Sequence, residues 1–562
     1  MNSFKYARGI VALSSFVSIA LSVYGGYSLF SHALFWDMLH GYLGVFEAVS
    51  TGDHSIWWAQ HNEHRIFISR LLFWMDLSWF SGSLVFLAVL NYALVIFAWT
   101  LACCALKERI KAFPHTRPLW AMCIMVMASW LFSWSHHENL LWAFQSQFFL
   151  AQSLPLAALL SLYKAHDSNR NLWFLAACFF GFCSAATMAN GVLALPLMVF
   201  LALIVGMRKP WVVVLCALTA LELWLYFSGY HSIPGHGSLS QALREQPIEL
   251  LLYVFVYLGN PFAWMARNQP GIGALAGAVM VTSAVWMAFS VLRRRKSAAL
   301  ELSLLCFLLY IGGTALGTGG GRLIFGVDQA LASRYATPAL LAWAAWFVLA
   351  YPVLVRWGVN VARNLLVLAS VLLCLLNVPK ILFQLEWAPA INVQRSAAML
   401  ALELGIPDEK IIKTVIFSSE AGLSGSRYAV EHNVSVFGRP PVRDLRERIG
   451  TTLPPADASP THCFAHLDKA ETIEGVPTYR RIRGWAFDPA DSSKTQGWLV
   501  LDTQDRVVGA VLSGSPRPDV AQALNRSAGR AGFLGYAGTG SMQGKVSLVN
   551  SATGCRVSLA VP

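Results

Sequence analysis

Apolar runs recur along this chain as far as residue 383, many of them in the range of about 17–25 residues that spans a bilayer core. Such a run allows few folds. In lipid every backbone N–H and C=O must find its partner inside the protein, which selects helices or closed barrels, and runs this long and unbroken read as helices. The chain is 56% hydrophobic and 13% charged, with a mean hydropathy of +0.52, where a soluble protein carries roughly a quarter charged residues. The expected fold class is a polytopic α-helical membrane protein with a soluble carboxyl-terminal tail.

Spans are expected near residues 8–30, 80–104, 119–134, 146–163, 172–188, 190–207, 211–229, 273–292, 298–317, 337–355 and 364–383. The formal net charge of +12 gathers largely in short loops: Lys107 to Arg117, Lys164 and Arg170, Arg208 and Lys209, Arg293 to Lys296, and Arg356 and Arg363. Basic loops mark the cytoplasmic side, so the charge sets orientation and does not call for nucleic acid. Eleven spans place the amino end in the cytoplasm and the carboxyl end outside. The apolar start after Lys5 and Arg8 is longer than a signal peptide's core of about 7–15 residues, which predicts a retained anchor. Residues 248–266 are expected to form a re-entrant or surface-lying helix broken at Asn260-Pro261, because proline disrupts the helical ladder.

This topology puts four polar segments on the outer side: residues 31–79, 133–147, 230–246 and 317–338. The expected domains are a transmembrane unit over 1–385 with 31–79 as its first external loop, a mixed α/β connector over 386–455 containing a strand-like KTVIFSS, and a β-sandwich-like module over 456–562. The Pro-rich TTLPPADASP at 451–460 reads as a linker. The module shows short alternating segments (YRRIRGWAF, GWLVLDT, RVVGAVLSG, KVSLVN, CRVSLAV) between turn residues. Eight cysteines lie in or beside apolar spans and read as packing residues. Cys463 and Cys555 bracket the module, which suggests a disulfide in an oxidising space.

The polar segments hold the candidate chemistry. Asp37 follows the first span and reads either as a helix cap or as a general base toward an acceptor hydroxyl. In WWAQHNEHR, a helix would put His61, His64 and Arg65 on one face with Glu63 elsewhere, and the spacing is not that of a helical zinc site. A divalent cation held by Asp37, Asp53 or Glu63 is left open beside the plainer reading, an amphipathic surface helix. His136, His137, Glu138 and Asn139, near Trp134 and Trp142, suit either mutual satisfaction between helices or a sugar site. Arg322, Asp328, Arg334 and Tyr335 in a Gly-rich stretch suit phosphate binding by guanidinium, or interfacial snorkelling.

The order of these features resembles the GT-C superfamily of membrane glycosyltransferases over roughly residues 1–440. FWD at 35–37 matches an acid in the first external loop, HNEHR at 61–65 lies where loop helices occur, and SRYATP at 333–338 resembles an arginine-tyrosine motif before a late span. The resemblance implies transfer of a sugar from a polyprenyl phosphate to a glycan, lipid or protein acceptor at the periplasmic face of a bacterial inner membrane. In that picture Asp37 acts as base, Arg322, Arg334 and Tyr335 hold the donor phosphate, and His61, Glu63, His64, Arg65, His136, His137, Glu138, Asn139, Trp142 and Asp328 line the sugar and acceptor. Asp37 is followed by Met38 and Leu39 where many members carry a second acid, so metal dependence stays open. GWAFDP at 484–489 and RPDVAQAL at 517–524 resemble β modules appended to cell-envelope glycan enzymes. The other classes consistent with the sequence are a lipid-linked sugar flippase or transporter, an O-antigen-ligase-type enzyme and an acyltransferase.

Overall fold

The computed structural model describes residues 2–232, 235, 237–454, 463–493, 495–524, 526–542 and 544–561. Residues 455–460 of the expected linker, and residues 233, 234 and 236 of the 230–246 segment, lie outside these. Among the described residues, nine helices are long and apolar enough to cross a membrane. They are Ser3–Leu29, Val85–Lys111, Pro114–Leu141, Ala143–Ser168, Lys209–Phe227, Pro270–Leu292, Ala299–Phe325, Ser333–Arg356 and Val359–Glu403. Two of the eleven expected spans fall short. The 172–207 stretch forms the helices Asn171–Ser184 and Ala189–Val205, and Gly191 in the first turn of the second packs so closely on the Ser184 carbonyl that no side chain fits. The expected break near Asn260-Pro261 occurs at Gly259, between helices Pro247–Leu258 and Asn260–Met265.

The chain divides into two compact units. One comprises Met1–Tyr27, Trp57–Leu71 and Leu87–Leu382; the other comprises Ser28–Ile56, Leu72–Phe86 and Phe383–Pro562. The expected first external loop is therefore shared out by segment. The helix Val359–Glu403 runs continuously through residue 385, close to the division between Leu382 and Phe383.

In the first unit, helices join through a few polar contacts set in apolar packing. Ser14 and Ser370 share a 2.5 Å hydrogen bond, and Asn377 accepts from Ser133 Oγ and the Trp134 N–H. Glu301, nearly buried, receives Arg109 at 2.6 Å and Arg294 at 3.5 Å. The second, loose contact shares a carboxylate that the first already neutralises.

In the second unit the connector is helical among the described residues, with helices Glu409–Ile412, Ser419–Glu431 and Leu445–Arg448. KTVIFSS forms a turn instead of a strand. Its Val415 carbonyl accepts the Trp36 N–H at 2.7 Å, so the segment closes on the chain just before Asp37. The first linker residues are also engaged: Thr452 bridges Arg506, and the Leu453 N–H reaches the Asp505 carbonyl.

The carboxyl-terminal module is one antiparallel sheet and not two packed sheets. Its strands are β1 (Phe464–Ile473), β2 (Val476–Phe487), β3 (Gln496–Leu501), β4 (Val507–Ser515), β5 (Gly532–Gly538), β6 (Lys545–Asn550) and β7 (Arg556–Ala560). They lie in the order β1-β2-β5-β4-β3-β6-β7. The sheet curls around a main core of Trp498, Val500, Val511, Phe533, Ala537 and Leu548, and its edge strands β1 and β7 come together. Cys463 and Cys555, each one residue before an edge strand, are disulfide-bonded with Cα atoms 6.2 Å apart. The bond fastens the two edges where a half-barrel would otherwise open, and unpaired edges are the weak point of a sheet.

A buried ion network joins the module to the helical connector. Arg481 on β2 makes a two-point contact with Asp408, at 2.7 and 2.8 Å, and reaches Glu471 at 2.9 Å. Tyr536 donates to Asp408 at 3.0 Å. Each charge has a partner, which is what burial of charge requires.

Candidate functional site

Four polar segments converge in the first unit. Residues 57–71 contain HNEHR, which is not helical: His61 and His64 exchange backbone hydrogen bonds at 2.7 and 2.9 Å, with Asn62 in the left-handed region at φ 48°. This two-residue turn replaces the expected shared helical face. It places the Glu63 carbonyl under the Tyr226 hydroxyl at 3.1 Å and its carboxylate 3.7 Å from Arg322. His64 Nδ1 accepts from the Ala189 N–H at 3.2 Å, which puts the ring proton of the neutral form on Nε2. His61 packs against Phe144, with ring centroids 5.4 Å apart.

Arg65 takes a different role from the one expected. It is buried, and its guanidinium donates to the carbonyls of Tyr226, Trp58 and Ser228, so it clamps the turn onto the end of the Lys209–Phe227 helix. Arg70 does the same for the Ala59 carbonyl. Burial first, and then the neighbouring Arg65 charge, lower the Arg70 guanidinium to about 10.

The 133–147 segment supplies the opposite wall. The His136 ring is buried and shares a 2.9 Å hydrogen bond with Thr337 Oγ1. Asn139 donates to the Arg334 carbonyl at 2.9 Å and to Thr337 at 2.7 Å. His137 Nδ1 lies 3.1 Å from the Trp134 carbonyl and 3.2 Å from Ser333 Oγ. Glu138 accepts from Arg334 at 3.2 Å, and Trp142 stacks on Phe144 at 5.7 Å. The buried atoms Asn139 Oδ1, Gln145 Oε1 and Gln147 Oε1 have no hydrogen-bond partner among the described residues. Buried polar groups are nearly always satisfied, so these acceptors have capacity for further hydrogen bonds.

The glycine run of residues 317–321 is not a phosphate-cradling loop. It forms the last turns of the helix Ala299–Arg322. A Cβ on Gly319 would meet Leu250 at 2.8 Å, and one on Gly320 would meet the Leu239 Cα at 2.8 Å. The glycines let the 239–258 helices approach, and that approach brings Tyr253 and Tyr257 to the site. Tyr257 faces Tyr335 with ring centroids 5.2 Å apart. Tyr253 is fully buried, lies in the field of both Arg322 and Arg334, and its hydroxyl has no partner among the described residues. The sequence reading missed both tyrosines; their spacing of four on one apolar helix was the available signal.

Not every expected residue joins this cluster. Asp328 stands exposed on a 3-10 turn. Asp37 and Asp53 belong to the second unit. Asp53 accepts the Ser55 N–H at 2.9 Å and its hydroxyl at 2.6 Å, and these bonds hold its carboxyl below the usual range. Asp37 occupies the N-cap position of the π-helical turn Met38–Tyr42, and its side chain makes no capping bond to that turn. Two residues earlier, Arg395 lies 4.1 Å over the Phe35 ring. Among the described residues, no group of three His, Cys, Asp or Glu side chains is placed to hold a metal ion.

No protein-family model matches the chain, and neither a curated protein nor a solved structure matches it.

Proposed function

We propose that this protein is a membrane glycosyltransferase that moves a sugar from a polyprenyl-phosphate donor to a glycan, lipid or protein acceptor. The observation that carries the reading is the convergence of two arginines, two carboxylates, a buried tyrosine hydroxyl and a set of unpartnered buried amides within an apolar helical unit. In a membrane protein, ionisable groups so placed mark sites of function. An anionic phosphate is matched by Arg322 and Arg334, with Tyr253 as a neutral donor beside them. Glu138 takes one of the five N–H donors of Arg334, and Arg322 lies 3.7 Å from the Glu63 carboxylate. A sugar's hydroxyl groups suit the acceptor atoms of Asn139, Gln145 and Gln147.

In this reading the arginines stabilise the phosphate as it leaves, the kind of preorganised charge that contributes most in a water-poor site. Asp37 is assigned the base on its place after the first apolar helix. The proposed setting is a bacterial inner membrane, with the amino end cytoplasmic and the carboxyl-terminal module periplasmic.

The test is incubation of purified protein with a panel of labelled polyprenyl-phosphate sugars. Release of polyprenyl phosphate with transfer of label is expected. Consumption of a diphosphate-linked polymer instead would identify a ligase, and vesicle transport without chemistry a flippase. Asp37→Asn is expected to abolish transfer while leaving donor binding, and full turnover in that variant would remove Asp37 from the mechanism.

A further inference from the structure

The two motifs of the carboxyl-terminal module, GWAFDP and RPDVAQAL, build one place. GWAFDP ends β2 and turns at Asp488. RPDVAQAL forms the short helix Pro518–Ala523, and the Arg517 N–H is tied to the Gly529 carbonyl at 2.8 Å. Their apolar residues Phe487 and Val520 close with Ala528 and Ala531 into a small core of their own, against which Trp485 packs. Above this core lies a cavity of about 420 Å³, within the range of about 300–1,000 Å³ typical of small-molecule sites.

The lining has a definite chemistry. Phe487 and the buried Ser513 and Gln496 form its inner surface, and Asp491, Ser492 and Arg530 stand toward its mouth. Gln496 is fixed by three hydrogen bonds to the 488–491 turn, at 2.7, 2.9 and 3.2 Å, so the wall is rigid. Asp491 accepts from the Ser493 N–H at 2.9 Å and from Asn550 at 3.1 Å, one bond on each oxygen. Each carboxylate oxygen has two lone pairs, so each retains capacity for a ligand hydroxyl. Ser513 accepts from Trp498 at 3.3 Å, and its own proton stays available. Arg530 has no ion-pair partner among the described residues. One carboxylate and one guanidinium cancel in charge, while the serine hydroxyls both donate and accept. That balance fits a neutral molecule dense in hydroxyl groups better than an anion.

We propose that this cavity binds a neutral sugar residue of a glycan, independently of the membrane-embedded site. Asp491 and Arg530 would read adjacent hydroxyls, the first as acceptor and the second as donor.

The experiment uses the full chain in detergent and an immobilised panel of neutral hexose and N-acetylhexosamine oligosaccharides beside acidic ones. Binding to at least one neutral member is expected. Arg530→Gln should weaken it about ten-fold or more, the loss of a charge-assisted hydrogen bond. Ser492→Trp, at an exposed position on the mouth, should abolish it. Both sites are exposed, so the melting temperature should hold. Arg334→Gln, in the other unit, should leave glycan binding unchanged. The proposal is overturned if no neutral member binds, if only acidic members bind, if both cavity variants bind as the parent does, or if Arg334→Gln alone abolishes binding.

Discussion

The first unit's arginine cluster and the second unit's Arg481 network use the same residue types to opposite ends. Arg481 and Asp408 are 6% and 1% exposed and meet through two hydrogen bonds, with Glu471 and Tyr536 completing the set. Arg334 and Glu138 are 32% and 26% exposed and meet at one point, beside amide oxygens and a tyrosine hydroxyl that find no partner among the described residues. A saturated network holds a structure together; an unsaturated one is set up to receive something. Unpaired buried polarity costs about 1–3 kcal/mol per group, a cost that a bound polar ligand would offset.

The comparison can be broken by experiment, beginning with the saturated side. Arg481→Ala leaves Asp408 buried without its partner and should cost about 3–5 kcal/mol, read as a large drop in melting temperature with donor chemistry otherwise intact. Replacing both Cys463 and Cys555 with Ser opens a loop of 92 residues and should cost about 2–5 kcal/mol, seen as earlier unfolding of the module by limited proteolysis. On the unsaturated side the effects invert. Arg334→Gln should lower sugar transfer by about 100-fold or more while moving the melting temperature little. A large stability loss with unchanged transfer would place Arg334 among the structural arginines. Glu63→Gln loosens a partly exposed 3.7 Å pair and should change stability by less than about 1 kcal/mol.

A third kind of polar group sharpens the contrast through pH. Asp76 is buried and accepts from the Tyr42 hydroxyl at 2.6 Å and the Leu84 N–H at 3.1 Å. Burial raises its carboxyl above the usual range, against the opposing pull of these two bonds and of Arg439. A carboxyl raised by folding holds its proton more tightly in the folded state. Its contribution is therefore complete below the unfolded value and is lost as pH rises through the folded one. Melting temperature followed from about pH 4 to pH 8, above the ordinary carboxylate range, should carry this falling component. Asp76→Asn keeps an acceptor for both donors and should remove it; an unchanged slope would take Asp76 out of the account.

Particular residues show how far the sequence could be read. The apolar runs were legible because membrane length is a one-dimensional quantity, and they gave the long helices apart from the short pair at 171–205. Five strands of the module were legible from alternation. β1 has polar residues on both faces, and β5 (GFLGYAG) is interrupted by glycines that read as turn residues; neither was legible. The arginines were legible as a type but not as a role. Arg65 and Arg334 look alike in the sequence, yet one is consumed by three carbonyls and the other faces a single carboxylate.

By itself, then, the sequence determined that this chain forms apolar helices of membrane length, a strand-rich tail and a cysteine pair framing it. These follow from composition and local period, which act over one segment at a time. Only the tertiary structure decided that the glycine run is a packing surface, that HNEHR is a turn, that the module is one curled sheet, and which charges are paired. Those outcomes depend on contacts such as Arg334 with Glu138, 196 residues apart, and no local pattern encodes the partner of a side chain at that distance.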